Sequence, residues 1–213
     1  MTGHRSDEAT LALHGVRVLG YTSAAKIAAL YKLAADSTTE HLLDAEARGW
    51  VRQTRFGGSD GWSLTDSGRA RGERRLAEEL DRAGSRGEIR EAHAAFRPLN
   101  RELGELMTRW QVRPTREDAL APNDHRDPGY DDALVRRLGR LVDQTRPITD
   151  QLARALDRLG VHQPRIDHAL MRIENLENTW VDSPTLPSLN IVWIQLHEDL
   201  LATLNIPRGS DSL

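Results

Sequence analysis

The sequence predicts a mainly α-helical chain that carries one short β-hairpin in its first third. Three observations lead there. Apolar residues recur at alternating spacings of three and four along most of the chain, whereas strand character gathers only between Trp50 and Leu64. The run Gly57-Gly58-Ser59-Asp60-Gly61 inside that strand-rich stretch reads as a turn. Ser23, Ser37 and Thr65 stand where helices would start, and Gly20 and Gly49 where they would stop.

A length of 213 residues suits one large or two small domains, and 38% hydrophobic with 29% charged residues is an ordinary globular balance. The chain has no cysteine, which excludes disulfides, thiolate nucleophiles and Cys-based zinc sites. No apolar run approaches the roughly 20 residues that span a bilayer, and Met1 to Thr10 is polar rather than signal-like. The expectation is a cytoplasmic protein with no membrane partner. A net charge of -3, with neither half basic, does not advertise nucleic-acid binding. Any DNA contact must therefore rest on local geometry.

The elements follow in order. Thr10 to Leu19 reads as a first helix, with Leu11, Val16 and Leu19 inward and Gly20 as its stop. A second helix, Ala24 to about Lys32, buries Ile27 and Leu30, and Leu33 to Asp36 makes a tight turn. The third starts near Thr38, because Ser37-Thr38-Thr39-Glu40 has the reciprocal pattern of a capping box. Leu42, Leu43 and Ala45 to Ala47 form its inward face, and Gly49 ends it. The hairpin comes next. From Asp66 the chain is helical to about Arg82, capped by Thr65, with Arg69, Arg71, Arg74 and Arg75 near the start of that helix. Two short helices joined by a tight turn, the second followed by a hairpin, define a winged helix-turn-helix.

The runs Ser23-Ala24-Ala25-Lys26-Ile27-Ala28, Ser37-Thr38-Thr39-Glu40-His41-Leu42-Leu43, Arg48-Gly49-Trp50-Val51 and Leu64-Thr65-Asp66-Ser67-Gly68-Arg69 resemble the MarR-type winged-helix transcriptional regulators. The resemblance covers about residues 10–83, and its most specific part is the Leu-Thr-x-x-Gly-Arg signature after the wing. Asp60-Gly61-Trp62 departs from the Asp-x-Arg wing tip usual in that family, and the third helix carries Glu40, Asp44 and Glu46. For DNA contact, Thr38, Thr39 and His41 in the first turn of the third helix suit base edges in a major groove. Arg52 and Arg55 on the wing, with Ser23 and Lys26 on the preceding helix, suit phosphates.

Ala83 to Gly87 reads as a hinge, dividing a DNA-binding domain (residues 1–85) from an all-helical domain (residues 86–213) for dimerisation and effector binding. Ile89, Ala92, Phe96, Leu99, Leu103, Leu106 and Trp110 form a seam that asks for a partner helix, with Pro98 as a kink. Arg113 to Pro128 is a long polar loop containing Pro122-Asn123-Asp124-His125. Helical spacing returns from Leu134 to Leu159, with Pro147 as a break or the start of a new helix. Further helices are expected over Pro164 to Asn178 and Ser188 to Leu204, the last apolar nearly all round. Trp110, Asn123, Asp124, His125, Trp180, Trp193 and His197 are the candidate lining of an effector pocket, Asn190, Trp193 and His197 sharing one helical face.

The sequence holds no His-x-x-x-His pair and no Gly-rich phosphate loop, and Gly57-Gly58-Ser59-Asp60-Gly61, although it has the Gly-x-Ser-x-Gly spacing, reads as the wing turn and not as a nucleophile elbow. No metal, cofactor or enzymatic activity is expected. The leading expectation is a homodimeric regulator that reads a palindrome in double-stranded DNA and responds to a small-molecule effector. The competing one is a winged-helix accessory protein that binds a protein partner, which Glu40, Asp44 and the net charge suit.

Overall fold

The computed structural model describes residues 3–56 and 58–207. Its elements are α1 (Glu8–Leu19), α2 (Ala24–Tyr31), α3 (Ala35–Ala47), β1 (Val51–Phe56), β2 (Ser59–Leu64), α4 (Asp66–Ala83), α5 (Arg86–Gln111), α6 (Pro128–Ala155), α7 (His162–Glu174) and α8 (Leu189–Leu204). Single 3-10 turns lie at Asp157–Val161 and Asn178–Trp180. The protein is thus mainly helical with one antiparallel two-stranded sheet. No helix among the described residues is long and apolar enough to cross a membrane.

Two compact units emerge. The first gathers the described residues as far as Arg90, Gln151–Val161 and the described residues from Gln195 onward; the second gathers Glu91–Asp150 and His162–Ile194. The first unit therefore takes in segments of α6 and α8 that a division into residues 1–85 and 86–213 assigns to the C-terminal part.

In the first unit, Asp7 starts α1 by accepting hydrogen bonds from Thr10 N and Thr10 Oγ1, both at 2.8 Å, and Gly20, at φ 74°, ends it. Ser23 caps α2 by accepting from Lys26 N at 3.4 Å. The expected capping box at Ser37 does not form. Helix α3 begins at Ala35, and Thr38 N already donates to Ala34 O at 3.0 Å, so the helix is under way when Ser37 is reached. The Ser37 hydroxyl instead donates to Glu8 Oε2 at 2.7 Å. The inward stripe is Thr38, Leu42 and Ala45, and Leu43, expected inside, is 50% exposed.

The hairpin is tighter than expected. Phe56 pairs with Ser59, so Ser59, Asp60 and Gly61, expected in the turn, belong to β2; Gly58 has φ 80°, and Gly57 lies outside the described residues. Thr22 pairs with the outer edge of β2 through reciprocal bonds with Trp62 (3.1 and 2.7 Å), tying the hairpin to the α1–α2 connection. Tyr21 lies across the hairpin and donates to Thr54 O at 2.8 Å. Position 61 must consequently be glycine, since a Cβ there would stand 2.4 Å from the Tyr21 ring. The core joins Ala12, Leu13, Val16, Ile27, Leu42, Ala45, Val51 and Trp62.

A buried charge network crosses the same unit. Arg158, on the 3-10 turn after α6, donates to Glu79 Oε2 on α4 at 2.9 Å and, on α8, to Asp199 Oδ1 and to Thr203 Oγ1 at 2.8 Å. His14 Nε2 on α1 lies 2.8 Å from the same Asp199 oxygen. Burial opposes the charged guanidinium, yet the charges of Asp199 and Glu79 prevail and the Arg158 pKa is raised. Arg17 adds a second pairing, to Glu198 and to Glu73.

In the second unit, α5 continues through Pro98 and α6 through Pro147. The reading of Pro147 as a break is corrected, because Leu141, Ile148 and Leu152 stay buried in one helical register on either side of it. Pro128 occupies the first position of α6, where its missing N–H costs nothing. The seam residues Ile89, Ala92, Phe96, Leu103, Leu106 and Trp110 are all buried within the single chain.

Candidate functional site

The first candidate surface is the outer side of α3. Thr38 is fully buried and its hydroxyl donates to Ala34 O at 2.9 Å, which overturns its expected contact with a base edge. Thr38 stands four residues before Leu42 and seven before Ala45, so any helix that contains it carries all three on one face. His41 is half-buried and its Nε2 lies 3.7 Å from Glu8 Oε2, on the side that faces α1. Thr39 alone of the three is on the exposed side, its hydroxyl returned to Ala35 O at 2.9 Å. Asp36, Glu40 and Asp44 line that exposed side at four-residue spacing, next to Leu43. The outer face of α3 is acidic.

The hairpin and the start of α4 carry the opposite charge. Arg52 on β1 is exposed and its side chain has no partner among the described residues. Arg55, expected to hold a phosphate, is instead engaged by Asp60 across the strands, through bonds of 2.9 and 3.1 Å. That hydrogen bonding raises the Arg55 pKa and lowers that of Asp60, although a fully exposed pair like this one is weak. Ser23 spends its hydroxyl on capping α2, while Lys26 is exposed.

Trp50, just before β1, gathers arginines. The guanidinium carbons of Arg48, Arg71 and Arg75 lie 5.4, 5.4 and 5.7 Å from its ring. Helix α4 reaches the ring because Thr65 Oγ1 and Ser67 Oγ both donate to Gly49 O at 2.7 Å and Thr65 caps Gly68 N at 3.0 Å. Gly68 is obligatory there, since a Cβ would come within 1.8 Å of Trp50 O. Sequence reasoning noted the arginines of α4 but not their convergence on Trp50, for which the only sequence signal is an aromatic residue between Gly49 and the hairpin.

The residues proposed for an effector pocket fall in separate groups, all but His197 in the second unit. The Asn123 side-chain amide donates to Trp110 O at 3.1 Å and to Asp131 Oδ1 at 3.0 Å. His125 Nδ1 lies 2.9 Å from Asp131 Oδ2, and its ring stacks 4.6 Å from that of Trp110. His125 has φ 54°, a left-handed backbone that is uncommon outside glycine and asparagine. The cluster closes the loop between α5 and α6, together with Asn123 N donating to Gln111 O at 2.9 Å. Asp131 was missed in the sequence because nothing local distinguishes it from a first-turn helix acid. Asp124 turns away and pairs with Arg126 at 3.7 Å.

Trp180 stands with His168 (5.1 Å, edge-on) and Arg172 (5.1 Å). Trp193 is fully buried against Phe96, its indole N–H donating to Asn100 Oδ1 at 3.1 Å, which makes it a core residue. His197 is half-buried on α8 and belongs to the first unit.

A small cavity in the first unit, lined by Leu13, Arg17, Leu64, Arg69, Gly72 and Leu76 among others, has room for about one water molecule. No group of three or more His, Asp or Glu placed to hold a metal ion occurs among the described residues. No known family model, curated protein or solved structure matches this chain.

Proposed function

We propose that the first unit is a winged helix-turn-helix that binds double-stranded DNA, and that the chain is a transcriptional regulator resembling the MarR type. The observation that carries the reading is the assembly of α1, α2 and α3 with a hairpin that follows α3 at once and is clamped by Tyr21 and Thr22. A wing held at its base in this way presents Arg52, which has no partner among the described residues, as a phosphate contact. Base reading falls to Thr39 and its exposed neighbours, since Thr38 is inside.

Titration of a labelled duplex from the region upstream of the chain's own gene tests this. The expected result is binding that weakens steeply between about 50 and 200 mM salt. Arg52→Ala should weaken it for every sequence and reduce the salt slope by about one. A wild-type protein that leaves the duplex untouched at about 50 mM salt rejects the proposal.

The second reading is an accessory protein that docks a basic protein partner on α3. The acidic stripe Asp36, Glu40 and Asp44 around the half-exposed Leu43 favours it. The Arg52→Ala experiment separates the two, because an accessory protein has no duplex affinity to lose.

A further inference from the structure

The arginines around Trp50 have more positive charge than the fold uses. Three guanidiniums surround one ring at 5.4 to 5.7 Å. The electron-rich ring attracts each of them singly, but it also gathers like charges, and Arg71 and Arg75 repel at four-residue spacing on α4. Arg48 is offset by Asp44 at 3.6 Å and Arg75 by Asp7 at 3.9 Å. Arg71, which reaches the ring as closely as Arg48, has no carboxylate partner among the described residues, and its Nε is buried without a hydrogen-bond partner there. Arg74, exposed on the next turn of the same helix, has none either.

The hairpin extends this surface. Thr65 N donates to Trp50 O at 3.1 Å, which continues the β1–β2 pairing back to Trp50. Val51 is buried and Arg52, on the opposite face of β1, is exposed, whereas Trp50, in the bend just before the strand, is half-buried and packs against the core. Arg52, two residues along the chain from Trp50, and Arg71, against its ring, both lack a carboxylate partner among the described residues. Planar guanidiniums bind phosphate through paired N–H donors, and successive phosphates along a nucleic-acid backbone match cations spread over such a surface.

We propose that a backbone phosphate of duplex DNA binds at the Trp50 cluster, with Arg71 as its principal contact and Arg48 beside it. This inference rests on the DNA-binding reading above and moves the anchoring site from the wing tip, where Asp60 occupies Arg55, to the base of the wing.

Fluorescence anisotropy with a labelled duplex, over the same salt range, tests it on the full chain. Arg71→Gln should weaken binding about tenfold, equally for specific and unrelated duplexes, and lower the salt slope by about one. Arg71→Lys, which keeps the charge, should recover most of the loss. Arg48→Gln alters an exposed side chain and should show a smaller decrease of the same kind; it decides the matter if circular dichroism finds Arg71→Gln unfolded. Wild-type affinity and salt slope in both folded variants, or in folded Arg48→Gln when Arg71→Gln is unfolded, would overturn the site while leaving DNA binding intact. Failure of the wild type to bind any duplex overturns the site and the functional proposal together.

Discussion

Arg158 and Arg71 carry the same charge in the same unit, and their surroundings differ in kind. Arg158 is 3% exposed and meets Glu79, Asp199 and Thr203, so its donors end on groups supplied by the fold. Arg71 is half-buried against Trp50 with no carboxylate partner among the described residues, and its Nε is orphaned there. Burying a charge is expensive unless it is paired, and the interior site meets that condition. The surface site does not, which leaves it capacity for an anion from outside. The contrast separates a charge that holds the fold from one that is left for a partner.

The strongest way to break this contrast is to remove the interior charge. Arg158→Met leaves Glu79 and Asp199 buried without their counter-ion and should cost about 3–5 kcal/mol in urea unfolding. Adding Glu79→Leu and Asp199→Leu to the same protein should return much of that stability, because apolar residues of similar size replace Arg158 and both of its carboxylates, leaving only His14 and Thr203 of the network. A loss below about 1 kcal/mol for the single variant would mean that water reaches the network and that Arg158 is not an interior charge.

A smaller effect is expected where the surface cluster is assembled. Gly68→Ala places a Cβ within 1.8 Å of Trp50 O, so α4 must shift away from the ring. The expected cost is about 3 kcal/mol, typical of an overpacked site with little room to relax. Because the shift also carries Arg71 and Arg75 off Trp50, duplex affinity should fall with the stability. Unchanged unfolding in denaturant would show that the contact between α4 and Gly49–Trp50 is looser than the Thr65 and Ser67 hydrogen bonds indicate.

Much of the fold was legible in the sequence wherever a local rule acts alone. Gly20 stops α1, Ser23 caps α2 and Thr65 caps α4, each by a hydrogen bond or backbone conformation that depends on neighbours in the chain. The capping box at Ser37 failed because Glu8, 29 residues away, takes the hydroxyl, and no local pattern reveals that competitor. Polarity alone places Thr38 outside, although its four-residue spacing from Leu42 puts it on the inward stripe. The polar network was illegible for a related reason. Glu79 sits in a highly charged helix and Asp199 beside His197 and Glu198, where periodicity reads acids as solvated. Of the candidate site, Arg52 stood out as a wing cation, whereas Arg71 acquires significance only when the hairpin brings Trp50 beneath it.

The smallest effect concerns Asp7, which stands between the two kinds of charge. It caps α1 through Thr10 and is the one carboxylate partner of Arg75 among the described residues, 3.9 Å from it. Its partial burial would raise the carboxyl pKa, but hydrogen bonds from Thr10 N and Oγ1 and the charges of Arg75 and Arg82 outweigh that and hold it below its ordinary value. A depressed folded-state pKa contributes stability that is present above the unfolded value, about 3.9, and is lost as pH falls through the folded value. Asp7→Ala should therefore cost about 1 kcal/mol at neutral pH, the ordinary worth of an N-cap. The gap between wild type and variant should close below about pH 4, where the wild type gives up the same interaction. Freed of Asp7, Arg75 joins Arg71 as an uncompensated cation, so duplex binding at low salt should tighten slightly. A stability gap that stays constant from about pH 7 to pH 3 would show that the cap works without its charge, and that Asp7 restrains neither Arg75 nor the cluster around Trp50.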